Sequence, residues 1–250
     1  MSGIYSVKGI VVKEVKVGEA DKIVHILTDG LGLVSASCKG AMRVRSRLVS
    51  STSLLAYSSF SLYQGKSMYT VDDARIEVQF WNLRQDVVKL SLAMYFLELV
   101  RKLAPDETDL RGHLKLVLNT LYFLDNGKRD ISYLKPLFEL RLLSMSGYMP
   151  DLVGCARCGQ FVDQGMYFSP QSGDLICREC HLPVDDSHYT LLGSGLLAAM
   201  RHIIYSDFSR LFNFRVDAAT LATLEKLAEQ YLIYQTDGRF KALDFYKGLL

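Results

Sequence analysis

The sequence predicts an α+β fold in which an OB-fold-like β-barrel precedes an α-helical bundle with a cysteine-bearing insert. Three observations predict it. Short runs rich in β-branched and aromatic residues, separated by turn signals, fill the first eighty residues. From Trp81 onward the apolar residues follow helical spacing instead. Two Cys-x-x-Cys pairs, which begin at Cys155 and Cys177, then interrupt the helical pattern.

Five strands are predicted in residues 1–80. Turn-forming segments separate them, such as Asp29-Gly30-Leu31-Gly32 and Gln64-Gly65-Lys66. About five strands in eighty residues fit a small barrel, and we predict an OB-fold, with an SH3-like barrel as the alternative that the pattern leaves open. The predicted strands are Ile4–Val17, Lys22–Thr28, Leu33–Cys38, Leu54–Tyr63 and Met68–Phe80.

Helices are predicted throughout residues 81–250. The first, Asn82 to Leu103, is apolar on nearly every face, which is typical of a buried helix. It ends before Pro105, because the residue before a proline disfavours helical dihedrals. Asp217 is the predicted N-cap of the last long helix and Gly238 its stop. The later helices are predicted at about 109–125, 131–147, 190–204 and 217–236.

The domain prediction is a barrel over residues 1–80 and a helical domain over residues 81–250, with the insert at about 151–183. The 250 residues are 49% hydrophobic and 22% charged, which excludes collagen-like and disordered classes. No apolar run approaches the roughly 20 residues of a membrane helix. No secretory signal is visible at the start. We therefore expect a cytoplasmic protein without a membrane partner.

Four of the five cysteines form two pairs with the spacing of a metal site. Eighteen residues separate Cys155-Ala-Arg-Cys158 from Cys177-Arg-Glu-Cys180, and this spacing is typical of a four-thiolate zinc site. Because four sulfurs leave no open position for water, the sequence predicts one structural zinc ion per chain, held by Cys155, Cys158, Cys177 and Cys180. Cys38 is predicted to be a small buried apolar side chain.

Other cysteine chemistries remain as alternatives to zinc. Cys177 to His181 also matches the C-x-x-C-H motif of c-type haem attachment, but haem would leave the first pair unexplained. A thioredoxin-like redox pair normally accompanies a βαβ pattern, which the sequence around these pairs does not show. Disulfides are uncommon in a chain without a secretory signal.

The sequence contains no recognisable catalytic constellation. It lacks the G-x-x-x-x-G-K-[ST], G-x-G-x-x-G, G-x-S-x-G and H-E-x-x-H motifs. Its five histidines are scattered along the chain. We therefore expect a binding protein and not an enzyme.

The charge of the predicted barrel is asymmetric. Residues 1–80 carry a net charge of +3 and residues 81–250 one of −1, and no carboxylate occurs between Asp29 and Asp72. Arg43, Arg45 and Arg47 alternate, so in an extended loop they would project from one side and follow a phosphate backbone. This pattern favours a polyanion partner, with a solvated loop as the alternative.

Several short motifs occur in the order that is found in one protein family. They are Gly18-Glu19-Ala20-Asp21-Lys22-Ile23-Val24, Gly32-Leu33-Val34-Ser35, Lys39-Gly40-Ala41, the cysteine pairs after Gly147-Tyr148-Met149-Pro150, and Gly238-Arg239-Phe240-Lys241-Ala242-Leu243-Asp244-Phe245. In this order the chain resembles the bacterial recombination mediator family RecO over essentially its whole length. Met42 and Ala242 depart from the pattern, since many relatives have a basic residue and a serine there.

The resemblance implies a DNA-repair mediator without turnover chemistry. Such a protein binds single- and double-stranded DNA, anneals complementary strands and works with RecR, often with RecF. Together they help RecA to replace single-stranded DNA-binding protein, so we expect a nucleoid-associated cytoplasmic location. Lys39 and Arg43 match the family's basic loop and are expected to contact DNA. On charge alone we add Arg45, Arg47, Lys22 and Lys66.

The resemblance also implies a protein partner for the helical region. Bacterial single-stranded DNA-binding proteins end in an acidic tail with an apolar last residue, which fits a groove with cations at its mouth. Arg111 and Lys115 share a helix face, and Arg141 lies in a second cation–apolar segment. The alternative function is an RNA-binding factor that combines a zinc ribbon with an OB-fold, which a preference for RNA over DNA would distinguish.

Overall fold

The structure is a computed structural model of the 250-residue chain and describes residues 3–161, 165–185 and 187–250. The chain forms two compact units. The first comprises the residues up to Gly127 together with Phe240–Leu250, and the second comprises Lys128–Arg239. Among the described residues, no helix combines the length and the hydropathy that a membrane span requires.

The first unit contains a closed five-stranded barrel, as the sequence predicts. The strands follow one another around the barrel in the order β1-β2-β3-β5-β4, and β4 pairs with β1 to close it. The pairing of β3 with β5 is parallel and the other pairings are antiparallel. This arrangement is OB-fold-like. The strands are β1 (Ile4–Val17), β2 (Asp21–Thr28), β3 (Leu33–Cys38), β4 (Tyr57–Gln64) and β5 (Tyr69–Val78).

Alternating strand residues fill the barrel. On β3 every second side chain is buried, and on β2 the same alternation extends from Lys22 to Ile26. The burial of Cys38 confirms its prediction as a small apolar side chain. The long strand β1 pairs with β4 along its first half and with β2 along its second half. A register shift between Val11 and Lys13 separates the two halves, as is typical where a barrel strand bends.

Helices complete the first unit. A four-residue helix, α1 (Leu48–Ser51), lies between β3 and β4. The predicted helix after Trp81 is divided into a 3₁₀ turn, Asn82–Gln85, and α2 (Val87–Leu103), because the Asp86 side chain caps α2. The remaining helices of this unit are α3 (Arg111–Asp125) and α7 (Lys241–Lys247).

The second unit packs helices against a small sheet. Its helices are α4 (Ile131–Met145), α5 (Ser194–Tyr205) and α6 (Ala218–Thr236). The sheet has the order β7-β6-β8, with β6 (Met166–Phe168), β7 (Leu175–Cys177) and β8 (Thr190–Leu192). The helix predicted from residue 190 begins at Ser194, since the residues before it pair with β6.

Helix α6 begins and ends through specific residues. Asp217 caps it by accepting a 2.8 Å hydrogen bond from the backbone N–H of Thr220, which confirms the predicted N-cap. The helix ends at Thr236, and Asp237 adopts the left-handed conformation with φ of 45°. The chain therefore turns one residue before the expected Gly238, because an aspartate tolerates this conformation better than most residues do.

Candidate nucleic-acid interface and metal centre

The two cysteine pairs converge in the second unit. The sulfur atoms of Cys155, Cys158, Cys177 and Cys180 all lie within 4.8 Å of one another. The Sγ atoms of Cys158 and Cys177 are 3.8 Å apart. A tetrahedral ion with metal–sulfur bonds of about 2.3 Å places its sulfurs about 3.8 Å apart. The four cysteines are therefore arranged to hold a metal ion.

Tight turns aim the sulfurs of each pair to one point. In the first pair the backbone N–H of Gly159 donates to the carbonyl of Cys155 at 2.8 Å, and Gly159 has a φ of 74°. In the second pair the N–H groups of Cys180 and His181 donate to the carbonyl of Cys177 at 3.1 and 3.0 Å. A glycine is favoured at the first turn because other residues rarely adopt this φ.

The thiols influence one another's ionisation. Burial raises the pKa of Cys155, but backbone N–H groups of Cys177, Cys158 and Arg157 outweigh burial and lower it to about 6. Hydrogen bonding with the sulfurs of Cys158 and Cys177 raises the pKa of Cys180 to about 12. One sulfur thus ionises readily and a second does not, because hydrogen bonds within the cluster favour its neutral form and the Cys155 thiolate adds a smaller repulsion. A divalent cation removes that repulsion, which fits this donor set.

The C-x-x-C-H segment that matches haem attachment lies beside the first cysteine pair. Cys177 and Cys180 share one sulfur cluster with the first pair. The ring of His181 stacks on Tyr167, with ring centroids 3.9 Å apart. The geometry therefore accounts for both pairs at once, which haem attachment to the second pair would not.

The basic loop, residues 39–47, follows the end of β3 and is exposed. Four of its side chains are the predicted contacts Lys39, Arg43, Arg45 and Arg47, and all four are exposed. Among residues 3–161, 165–185 and 187–250, none of the ion pairs involves these four. Cations without a carboxylate partner are available to phosphate groups.

The basic loop is turned and not extended. The backbone N–H of Arg43 donates to the carbonyl of Gly40 at 3.1 Å, and that of Ser46 donates to the carbonyl of Arg43 at 2.9 Å. Arg47 has helical dihedrals before α1. The expectation that the arginines alternate along one side of an extended loop is therefore wrong, because local hydrogen bonds fold the segment into turns.

The start of β2 holds the basic loop in place. The Asp21 carboxylate accepts a 2.7 Å hydrogen bond from the backbone N–H of Gly40, and the carbonyl of Ala20 accepts one of 2.9 Å from Met42. Ala41, between them, is buried in the barrel core. The motif from Gly18 to Val24 and the motif Lys39-Gly40-Ala41 meet here, but the sequence alone does not predict this role of Asp21.

Two predicted contacts lie elsewhere. Lys22 is only 7% exposed, and its Nζ lies 2.8 Å from Oε2 of Glu14. Its prediction as a DNA contact needs correction, because strand alternation places Lys22 on the buried side of β2 with Val24. Lys66 is exposed, but it precedes β5 whereas Lys39 follows β3. Since these strands are parallel, the two lysines leave the β3–β5 pairing in opposite directions.

A pocket of about 420 Å³ lies in the first unit, between β1, α2 and α7. Its apolar lining residues are Val12, Leu54, Met94, Leu97, Ala242 and Phe245, and its cations are Lys13, Arg101 and Lys241. No ion pair within the described part of the chain involves these cations. Burial and then the charges of Lys13 and Arg101 lower the pKa of nearby His25. The pocket is therefore apolar and locally positive.

The pocket's two carboxylates are already engaged. Glu14 pairs with Lys22. Glu98 lies 3.3 Å from Nζ of Lys102 and accepts a 2.9 Å hydrogen bond from the backbone N–H of Ala242. These contacts reduce the repulsion that an anionic ligand would meet in the pocket.

The cations expected to receive an acidic tail have other contacts. Arg111 binds the carboxylate of Asp109, with Nη2 and Oδ2 2.6 Å apart. Arg141 donates to the backbone carbonyls of Ile203 and Ile204 at the end of α5. Both arginines thus support local structure. The partner of Arg111 is a neighbour in the sequence, whereas the carbonyls that Arg141 contacts are about sixty residues away.

Comparison with known proteins agrees with this arrangement. The family model described as Recombination protein O N terminal matches residues 1–80, and the one described as Recombination protein O C terminal matches residues 84–244. The chain is 36% identical to DNA repair protein RecO of Acetivibrio thermocellus over 241 residues, which are 96% of this chain and 95% of that protein.

Two further relatives carry the same name. DNA repair protein RecO of Symbiobacterium thermophilum is 32% identical and is aligned over 97% of this chain and 96% of its own length. DNA repair protein RecO of Alkaliphilus metalliredigens is 30% identical, and the alignment covers 97% of this chain and 98% of that protein. The match thus extends through barrel, helices and cysteine pairs, and the chain belongs to the RecO family of DNA repair and recombination proteins.

Proposed function

We propose that this protein is a non-catalytic mediator of recombinational DNA repair. It binds single- and double-stranded DNA, anneals complementary strands and, with RecR and RecF, helps RecA to load onto DNA that single-stranded DNA-binding protein covers. The observation that carries the proposal is the exposed basic loop, whose four cationic side chains form no ion pair with the described residues, on an OB-fold-like barrel of a RecO-family chain.

The basic loop supplies the chemistry that annealing requires. Two DNA strands repel each other through their phosphates, and cations that bind phosphate release the condensed counterions and reduce that repulsion. Lys39, Arg43, Arg45 and Arg47 are the proposed contacts. Lys66 would form a separate contact, since it lies beyond the other end of the β3–β5 pairing. Phosphate binding is independent of sequence, as is required of a protein that anneals complementary strands of any sequence.

We further propose that the metal is zinc and that it is structural. Four thiolates favour Zn²⁺ among common ions and leave it no open position for catalysis. Protein contacts also hold the cysteine-bearing insert. The Tyr231 hydroxyl on α6 donates to the carbonyl of Tyr148 at 3.0 Å, and Gln235 donates to that of Gln171 at 2.9 Å. The ion would therefore order the turns more than the helices.

The pocket beside β1 is our proposed site for the tail of single-stranded DNA-binding protein. Its apolar residues suit the last side chain of the tail, and Lys13, Arg101 and Lys241 suit the carboxylates. This location differs from the one expected, because the pocket includes a barrel strand and α7 as well as α2. A labelled tail peptide tests it. Arg101→Glu should abolish saturable binding, whereas Arg111→Glu should retain it.

The central test is annealing of complementary oligonucleotides by the full chain, alone and after the strands are coated with single-stranded DNA-binding protein. We expect acceleration in both cases. A chain that is folded and metal-loaded but accelerates neither reaction would overturn the proposal. The same assay with RNA of the same sequence addresses the alternative, since a strong preference for RNA would indicate an RNA-binding factor.

A further inference from the structure

An apolar side chain at the tip of the basic loop is fully exposed. Val44 is 100% exposed, and Met42 in the same loop is 42% exposed. Arg43 and Arg45, which precede and follow Val44 in the chain, are exposed as well. A single exposed valine is ordinary on a protein surface. A valine between two arginines that have no ion-pair partner among the described residues combines an apolar contact with two anion contacts.

The barrel core fixes the position of this tip. Ala41 on one side is 1% exposed within the core, and Leu48 on the other side packs against the same core. Between them, the hydrogen bond from Ser46 N–H to the Arg43 carbonyl closes a β-turn with Val44 and Arg45 at its centre. Binding through the tip therefore needs little ordering of the loop.

We propose that Val44 contacts nucleobases of single-stranded DNA while Arg43 and Arg45 bind the phosphates beside those bases. The inference rests on the proposed DNA-binding function of the basic loop and adds a base contact to it. A single strand presents apolar base faces and thymine methyl groups close to its phosphates. In a duplex the base faces are stacked, so the contact favours single strands.

An anionic lipid surface would also attract arginines around an apolar tip. Membrane-binding segments, however, bury a much larger apolar face than one valine and a half-exposed methionine provide. Nucleic acid is therefore the ligand that this small tip fits, and lipid binding becomes an outcome of the test.

The test compares Val44→Ala with the parent chain on three ligands: oligothymidine, a sugar–phosphate chain of equal length without bases, and a duplex. We expect the variant to lose about three- to tenfold in affinity for oligothymidine, as the loss of buried methyl groups implies. Affinity for the other two ligands and the salt dependence should not change. Val184→Ala, which changes another exposed valine (74%), should bind all three like the parent.

The outcomes separate the two proposals. If Val44→Ala binds oligothymidine like the parent while an Arg43→Ala/Arg45→Ala variant binds weakly, the base contact is wrong and the DNA-binding loop stands. If both variants bind like the parent, the proposed DNA site on the loop fails as well. An equal loss on the base-free chain also overturns the base contact. Binding to phosphatidylglycerol vesicles is measured as well, and a Val44→Ala effect that occurs on vesicles and not on oligothymidine also overturns the base contact.

Discussion

The carboxylate of Asp21 accepts a 2.7 Å hydrogen bond from the backbone N–H of Gly40, and this contact joins the start of β2 to the basic loop. Gly40 has a φ of 63°, a conformation that glycine adopts more readily than other residues. An acidic side chain thereby positions a basic surface. Its charge disfavours phosphate binding, whereas its hydrogen bond keeps the loop folded.

Asp21→Ala should weaken DNA binding, although it removes a negative charge. Loss of the acceptor leaves the Gly40 N–H without its partner and releases the loop, which should lower affinity about three- to fivefold. Asp21→Asn is the matched control, because it removes the charge and retains an oxygen acceptor. Fluorescence anisotropy with a labelled single strand measures both. Tighter binding by Asp21→Ala would contradict a positioning role.

Neutralisation of the basic loop should change the salt dependence of DNA binding. The log–log slope is about −0.7 per phosphate contact on single strands, so replacement of Lys39, Arg43, Arg45 and Arg47 by alanine should flatten it by two to three units. Lys66→Ala should change it by less than one unit. An unchanged slope and affinity in the quadruple variant would move the DNA site away from the loop.

Lys22→Met should affect folding and not DNA binding. The Lys22 ammonium is buried and paired with Glu14 at 2.8 Å, and loss of a buried partner costs on the order of 1–3 kcal/mol. Urea unfolding should show this loss in the free energy of unfolding, while the salt slope remains that of the parent. Unchanged stability with a slope reduced by one contact would restore Lys22 as a DNA contact.

Metal removal should loosen the insert and expose its thiols. We expect one zinc ion per chain by elemental analysis, and four thiols that alkylate readily once a chelator removes it. Cys38 should stay unreactive, because it is fully buried in the barrel core, where an alkylating reagent does not reach the sulfur.

Two substitutions check the metal prediction. Cys177→Ser should lose the metal, whereas Cys38→Ala should keep it. A metal-free parent with undiminished thermal stability would contradict the prediction.

Lys135→Met should destabilise the second unit strongly. Lys135 is 1% exposed, and its Nζ lies 3.0 Å from Glu139 and 2.8 Å from Glu229. Removal of the cation leaves a buried carboxylate without its ion-pair partner, which costs about 3–5 kcal/mol. Thermal or urea unfolding at pH 7 measures the loss. Lys135→Met combined with Glu139→Leu should recover much of it, and no recovery would show that the cost is not electrostatic.

The pH dependence of this cluster has a definite sign. Burial lowers the pKa of Lys135, but Glu139 and Glu229 outweigh burial and raise it above its ordinary value of 10.5. The parent should therefore keep the stability that the Lys135 ion pairs contribute at neutral pH, and lose it only as the pH rises through the raised pKa of Lys135. In Lys135→Met the loss in the free energy of unfolding should become smaller as the pH falls, because protonation neutralises the buried carboxylate.

Local patterns in the sequence determine much of this protein. Runs of β-branched and aromatic residues between turn signals predict the five strands, and β1 and β3 occur with the predicted bounds. Helical periodicity predicts α2 to α6 to within a few residues. The spacing of the cysteine pairs predicts their cluster. These features depend on residues that are close in the sequence, so they can be predicted without knowledge of the tertiary structure. Helix α7 was not predicted, since seven residues contain too few turns to establish a period.

Tertiary structure decides which charges are available. Lys22 and Lys39 are alike in the sequence, yet one is ion-paired with Glu14 and the other is exposed. Asp21 positions the basic loop only because β2 and that loop are in contact. Phe245 of α7 and Val12 of β1, which are far apart in the chain, line the same pocket. Burial and ion pairing depend on residues far apart in the chain. The sequence therefore determines the elements and the cysteine cluster, whereas the packing of distant segments determines which charged and apolar side chains are exposed together.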